Sequence, residues 1–250
     1  MIEFLNNLDT SVFLAINGHH NPFFDSFMTM FTGRFIWIPM YAMVLWILFR
    51  GCNWKNALVY TGAIALAIFL TDQTCASLIR PVVERLRPSN LDNAISEFTY
   101  IVDDYRGGSY GFPSCHSANS FALAAFLIMF VRRRGFALFI LGWACLNSYS
   151  RLYLGVHYPG DLLVGAIIGM TFSVFCYIVA SRFETAASRR ERHQRLESPI
   201  LTLPGLNLRP FIRLHSSGAS GLFLTASDMM IAAFAATLAV IVVASLVALL

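Results

Sequence analysis

The sequence predicts an all-α, polytopic membrane helical bundle: five core spans, a sixth apolar helix at the C-terminus and an N-terminal helix lying in the membrane interface. Three observations carry this. Hydrophobic residues make up 57% of the 250 and charged residues only 13%, with a mean hydropathy of +0.62, too apolar for a soluble domain of this size. Apolar runs near the roughly 20 residues that cross hydrocarbon recur along the chain. Between them, basic residues gather in alternate connections, as they do in proteins that cross a membrane repeatedly.

Residues 3–16 put Phe4, Leu5, Leu8, Val12 and Leu14 largely on one side of a helix, with polar residues opposite; the stretch is too short to span and reads as interfacial. Gly18-His19-His20-Asn21-Pro22 breaks it. The two histidines lack a third ligand nearby and read as an exposed turn. Asp25 is placed to cap the next short helix. The first span covers about 35–49, with Trp37 and Trp46 near its ends, and the second about 57–79, holding Asp72 and Gln73. The polar stretch 80–115 is too long for a mere connector; its Gly107-Gly108-Ser109-Tyr110-Gly111 run reads as a surface linker. Spans three to five cover about 117–131, 136–149 and 162–180. The organisation is therefore an interfacial segment (1–30), a membrane domain (31–182), a polar basic linker (183–227) and an apolar helix (228–250). Activity is expected to survive loss of the tail.

Arg50, Lys55, Arg132 to Arg134 and the arginines from Arg182 onward share one side, the cytoplasmic one by the positive-inside rule. The 80–116 loop and the 150–161 turn share the other, although these outer connections also hold Arg34, Arg85 and Arg106. A net charge of +4 without basic residues interleaved among aromatics argues against nucleic acid as a partner. The five cysteines have neither disulfide nor metal-ligand spacing. Residues 1–17 lack the basic leader of a cleavable signal peptide.

Three stretches concentrate chemistry. In 150–161, Pro159 suits a first helical position. Asp161 then falls in the first turn, where it can reach back to His157, fix its tautomer and hold its charge. Arg151 offers a flat, permanently charged fork to an oxyanion. The plainer alternative pairs Arg151 with Asp161 and leaves His157 as a helix cap. In 80–87, Arg80 and Arg87 lie two turns apart on one face if the helix persists past Pro81, and both reach one anion; otherwise they pair with Glu84, Asp103 or Asp104. In 113–116, Ser114 is a natural N-cap, the free N–H groups behind it suit a phosphate, and His116 can donate a proton to a leaving oxygen.

Taken in order, Arg80 with Arg87-Pro88, Pro113-Ser114-Cys115-His116, and Ser150-Arg151 with His157 and Asp161 resemble the three-part signature of the type 2 phosphatidic acid phosphatase (PAP2) superfamily, over about residues 31–180. Two positions depart from it: Arg80 stands in place of the usual Lys and Cys115 in place of the usual Gly. The resemblance implies that His157 attacks phosphorus to form a phosphohistidine, oriented by Asp161. His116 then protonates the leaving alkoxide and later activates water, while Arg80, Arg87, Ser114, the Cys115 N–H and Arg151 hold the phosphate oxygens. It implies no metal and no cofactor. The implied partner is a bilayer lipid met from the outer face of the inner membrane: lipid A or undecaprenyl pyrophosphate first, phosphatidylglycerol phosphate or phosphatidic acid next. A cysteine nucleophile is set aside, because a cysteine phosphatase loop needs an arginine six positions later and Phe121 stands there. A vanadate-dependent haloperoxidase-like enzyme and a non-enzymatic lipid carrier are the remaining alternatives.

Overall fold

The computed structural model describes residues 2–33, 35–204 and 221–249. Arg34 and the tail stretch 205–220 lie outside them. The helices are α1 (Ile2–Asn17), α2 (Pro22–Phe31), α3 (Ile38–Gly51), α4 (Trp54–Gln73), α5 (Arg80–Val83), α6 (Cys115–Val131), α7 (Arg134–Tyr153), α8 (Pro159–Ser181), α9 (Ala186–Glu197) and α10 (Ala226–Val247). A π-helical segment, Thr74–Ile79, joins α4 to α5. A short antiparallel ribbon pairs β1 (Leu201–Pro204) with β2 (Gly221–Leu224). The continuous helix Trp54–Val83, α8 and α10 are each long and apolar enough to cross a membrane; α3 and α6 are shorter apolar helices. Helix α7 turns Asn147, Ser148, Ser150 and Arg151 into the protein, because lipid cannot satisfy their polar atoms.

Helix α6 is the axis, packed by α8, α7 and α4. Its contact with α8 is set by two glycines four residues apart. A Cβ on Gly165 would come 2.5 Å from the Ser114 carbonyl oxygen, and one on Gly169 would come 1.9 Å from that of Ala118. Small residues let two membrane helices approach to backbone contact. Side-chain hydrogen bonds stitch the seam: Ser117 Oγ to Leu162 O at 2.8 Å, Ser173 Oγ to Ala122 O at 2.7 Å and Tyr177 Oη to Met129 O at 2.9 Å.

Four local expectations are corrected. The first span starts at Ile38, later than 35, and α2 precedes it, the two helices broken apart after Phe31. That break runs along two turns of α7, with Thr32 beside Arg151 and Trp37 edge-on to Trp143 at 5.9 Å. Asn21, not Asp25, caps α2, accepting from Phe24 N at 3.0 Å; Asp25 instead accepts from Tyr153 Oη and Tyr100 Oη. His20 is not a bare turn residue but stacks on Tyr100. The stretch read as a linker contains α9, which buries Leu196 and Arg192 against α3 beside Gly51; Arg192 reaches Glu184 Oε2 at 3.1 Å and lies over the Phe130 ring.

Helix α1 points its exposed apolar side outward through Phe4, Leu5, Leu8 and Val12, the lipid-facing stripe the sequence predicts. Its inner side mixes the buried Phe13, packed on Tyr158, with polar groups. Asn17 is buried and bonds the carbonyls of Tyr100 and Tyr153, each at 3.0 Å. Helix α10 begins where Arg133 Nη1 meets Thr225 Oγ1, Ser227 Oγ and Asp228 Oδ1 at 2.6–2.9 Å. From there it packs on α3 and α2, with Phe234 stacked on Trp37 at 5.1 Å.

Candidate active site

The ends of α4–α5, α6, α7 and α8 converge on one side of the bundle, and each delivers its charged or nucleophilic residue there. Helix α7 ends at Tyr153, and Gly155 turns the chain with φ +75°, where a Cβ would come 2.6 Å from the Tyr100 carbonyl oxygen. Only glycine fits so close an approach with that backbone. Pro159 then starts α8, and Asp161 in its first turn accepts from Tyr158 N at 3.0 Å. The same carboxylate oxygen, Oδ2, faces His157 Nδ1 at 3.3 Å.

Arg87 Nη1 lies 2.9 Å from His157 Nε2 and 3.1 Å from the Val156 carbonyl oxygen. A guanidinium only donates, so Nε2 holds a lone pair and the ring proton sits on Nδ1, toward Asp161. His157 is 2% exposed. Burial, then the charges of Arg87, Arg151 and Arg80, push its pKa well below the ordinary 6.5, so the imidazole is neutral near pH 7. Arg87 is pushed down to about 10 by burial and by the charges of Arg80 and Arg151, and stays charged at pH 7.

Arg80 donates to the Pro113 carbonyl at 3.0 Å and to Cys115 Sγ at 3.1 Å. Arg151 donates to Thr32 Oγ1 at 2.9 Å and to Tyr105 Oη at 3.4 Å. Among the described residues, none of Arg80, Arg87 and Arg151 forms an ion pair, and the buried Nε of each has no acceptor. Buried donors left unmet cost about 1–3 kcal/mol each. Three such cations in one place call for an anion. Ser114 stands at the N-cap position of α6, yet its hydroxyl makes no cap bond and is buried without a partner. Its N–H donates to the Asp161 carbonyl at 3.0 Å, tying the start of α6 to the start of α8.

Arg80, Arg87, Cys115, His116, Arg151 and His157 all line one cavity of about 600 Å³. Ser114 and Asp161 are buried immediately behind it. All eight residues singled out from the sequence are thus brought together. Among the described residues, no three His, Cys, Asp or Glu side chains are placed to hold a metal ion.

The routes to this arrangement differ from expectation in three ways. The helix does not persist to Arg87: it stops at Val83, with Glu84 left-handed at φ 49°. Arg87 arrives instead on extended chain, its N–H bonded to the Ser109 carbonyl at 3.1 Å. Arg151 does not pair with Asp161; Arg85 does, at 2.9 Å to Oδ1. The glycine run is no surface linker. Gly107 and Gly108 line the cavity, and a Cβ on Gly111 would crowd Arg87 and Asp161 at 3.1 Å from each.

Sequence reasoning missed Arg85 and Asp9. Arg85 bridges Asp161 to Asp9 of α1, at 2.8 Å from Asp9 Oδ2, and lies 3.9 Å over the Tyr158 ring. Asp9 Oδ1 also accepts from Gly160 N at 2.7 Å. A third arginine within eight residues of Arg80 and Arg87 was the available signal for Arg85. No local pattern marks Asp9, whose partners lie about 75 to 150 positions away. Thr32 and Tyr105, which hold Arg151, were missed for the same reason.

The PAP2 superfamily model matches residues 56–184, the span that carries all eight residues singled out from the sequence. The chain is 49% identical over 217 residues to the lipid A 4'-phosphatase of Bacteroides thetaiotaomicron, covering 82% of this chain and 96% of that protein. It is 33% identical over 178 residues to the lipid A 4'-phosphatase of Porphyromonas gingivalis, covering 71% and 75%. Among solved structures, LpxE of Aquifex aeolicus superposes with a TM-score of 0.54 at 25% identity, over 68% of this chain and 94% of that one. An oriented imidazole in a cage of arginines without ion-pair partners, in a chain that matches such relatives over 68–82% of its length, leads to one assignment: the chain belongs to the PAP2 superfamily and is a membrane lipid phosphatase.

Proposed function

We propose that the protein removes a phosphate monoester from a lipid A-type saccharide lipid, through a phosphohistidine on His157, with the cup opening to the outside of the inner membrane. The observation that carries this is the His157 geometry: Nε2 bears its lone pair inside the arginine cup while Nδ1 faces a buried carboxylate. In the first step Nε2 attacks phosphorus, the P–N bond forms and the P–O bond to the sugar breaks. His116 gives its proton to the departing alkoxide. In the second step His116 takes a proton from water, whose oxygen attacks phosphorus, and the P–N bond breaks to release phosphate. Arg80, Arg87, Arg151, Ser114 and the Cys115 N–H carry the oxygen charge. Phosphoryl transfer depends mainly on such positioning and charge stabilisation. Arg87 must release Nε2 for the attack, and the incoming phosphate oxygens offer its guanidinium new acceptors.

The substrate class rests on the two relatives named lipid A 4'-phosphatase. The outward orientation is supported by charge. Arg132 to Arg134 lie at the opposite ends of α6 and α7 from His116 and Arg151, and basic segments stay cytoplasmic. The decisive experiment uses purified protein in mixed micelles with a chelator present. Phosphate release from lipid A, inhibition by vanadate and an acid-labile, base-stable phosphoprotein label are expected, all lost in His157→Ala. Full turnover by His157→Ala overturns the mechanism; release only from undecaprenyl pyrophosphate overturns the substrate.

A further inference from the structure

The cavity continues below the phosphate cup, and its next layers are polar. One helical turn inward from Cys115 and His116 on α6 come Asn119 and Ser120. One turn inward from Arg151 on α7 comes Asn147, and one turn further Trp143. Two turns inward from Arg80 comes Asp72. All five line the cavity. Asn119 Nδ2 donates to Asp72 Oδ1 at 3.4 Å, and Asn147 Nδ2 donates to Ser120 Oγ at 2.5 Å.

These pairings leave specific atoms unmet. Asn119 Oδ1, Asn147 Oδ1 and Trp143 Nε1 are buried without a hydrogen-bond partner. Asn147 is 8% exposed and Trp143 3%. Two amide oxygens need donors, and an indole N–H needs an acceptor. Hydroxyl and amide groups supply both. A phosphate supplies acceptors alone and a hydrocarbon chain supplies neither, so each would leave buried groups dehydrated. Position agrees with chemistry. The leaving oxygen lies at His116 in the proposed mechanism, and whatever it carries passes Asn119 and Ser120, which share that face of α6.

We infer that Asp72, Asn119, Ser120, Asn147 and Trp143 form a subsite for the hydroxyl- and amide-bearing sugar from which the phosphate departs. This rests on the phosphatase reading above and adds the residues that select a saccharide over a polyprenyl phosphate leaving group.

The test compares kcat/KM for a phosphorylated, acylated disaccharide lipid with that for a polyprenyl diphosphate in the same micelles. Asn147→Leu and Asn119→Leu are each expected to lower the saccharide-to-polyprenyl ratio at least tenfold. Equal losses on both substrates, or an unchanged ratio, overturn the subsite and leave the phosphatase standing. A second measurement needs no variant. The dephosphorylated saccharide lipid should inhibit the wild-type protein at least ten times more tightly than the polyprenol, and equal inhibition also overturns the proposal. If wild-type protein releases phosphate from neither lipid, the phosphatase reading itself falls, and the subsite with it.

Discussion

At the scale of single residues, the site depends on keeping one imidazole neutral and aimed. A nucleophilic histidine must be unprotonated, and a pKa held below 6.5 by burial and three arginines extends that state to lower pH. The acid limb of kcat/KM set by His157 is therefore expected below pH 6.5, and a limb centred at or above 6.5 would contradict this environment. Arg85 holds the Asp161 oxygen that does not face His157. Arg85→Met leaves the buried Asp161 without its counter-charge, a change that costs about 3–5 kcal/mol. It removes a cation near His157 and uncovers an anion, both of which raise the imidazole pKa. The variant should therefore show a lower melting temperature and an acid limb displaced to higher pH. A drop in stability with the limb unmoved would reduce Arg85 to a packing role. Asp9→Asn keeps the acceptor for Gly160 N but removes an anion that shares Arg85 with Asp161, so a smaller displacement in the opposite direction, to lower pH, is expected.

At the scale of elements, the α6–α8 seam sets the distance between His116 and His157, because each helix begins at one of the two histidine-bearing stretches. Gly169→Val would drive a side chain into the Ala118 carbonyl. Overpacking of this kind costs about 1–3 kcal/mol or more, and separating the helices also pulls Ser114 from Asp161. Thermal stability and turnover should fall together. Gly142→Ala on α7, where an added Cβ meets nothing within 4 Å, is the contrast: helix propensity favours alanine by up to about 1 kcal/mol, so the melting temperature should hold or rise. Equal behaviour of the two variants would refute the close-approach argument. The interrupted α2–α3 pair belongs at this scale as well. Its break delivers Thr32 to Arg151, an outcome that non-helical chain within the membrane domain achieves where it lines a cavity.

At the scale of the whole molecule, the tail is part of the bundle. Helix α10 covers Trp37 with Phe234, buries Met230 and Ile241, and is pinned by Arg133. Sequence reasoning expects its loss to be harmless; the packing reverses that expectation. Deletion of 226–250 should lower the melting temperature in detergent and cut turnover, since Trp37 lines the cavity; a truncated protein matching the full chain in both would restore the original view. The fold class was legible in the sequence, because hydrocarbon demands long apolar runs with internally satisfied backbones; the gathering of eight chosen residues at one cavity was legible for those beside the ends of such runs, and less so for Arg87, which arrives on extended chain. Two partnerships were not legible. Arg85 rather than Arg151 takes Asp161, and Asp9 reaches across from an interfacial helix. Either arginine carries the charge to do it, and only the path of the chain after the left-handed turn at Glu84 decides which one arrives. The sequence by itself determined the membrane bundle and the chemistry at its helix ends; the tertiary structure alone decided who pairs with whom and what lies beneath the cup, because a short-range hydrogen bond between distant residues leaves no periodic trace along the chain.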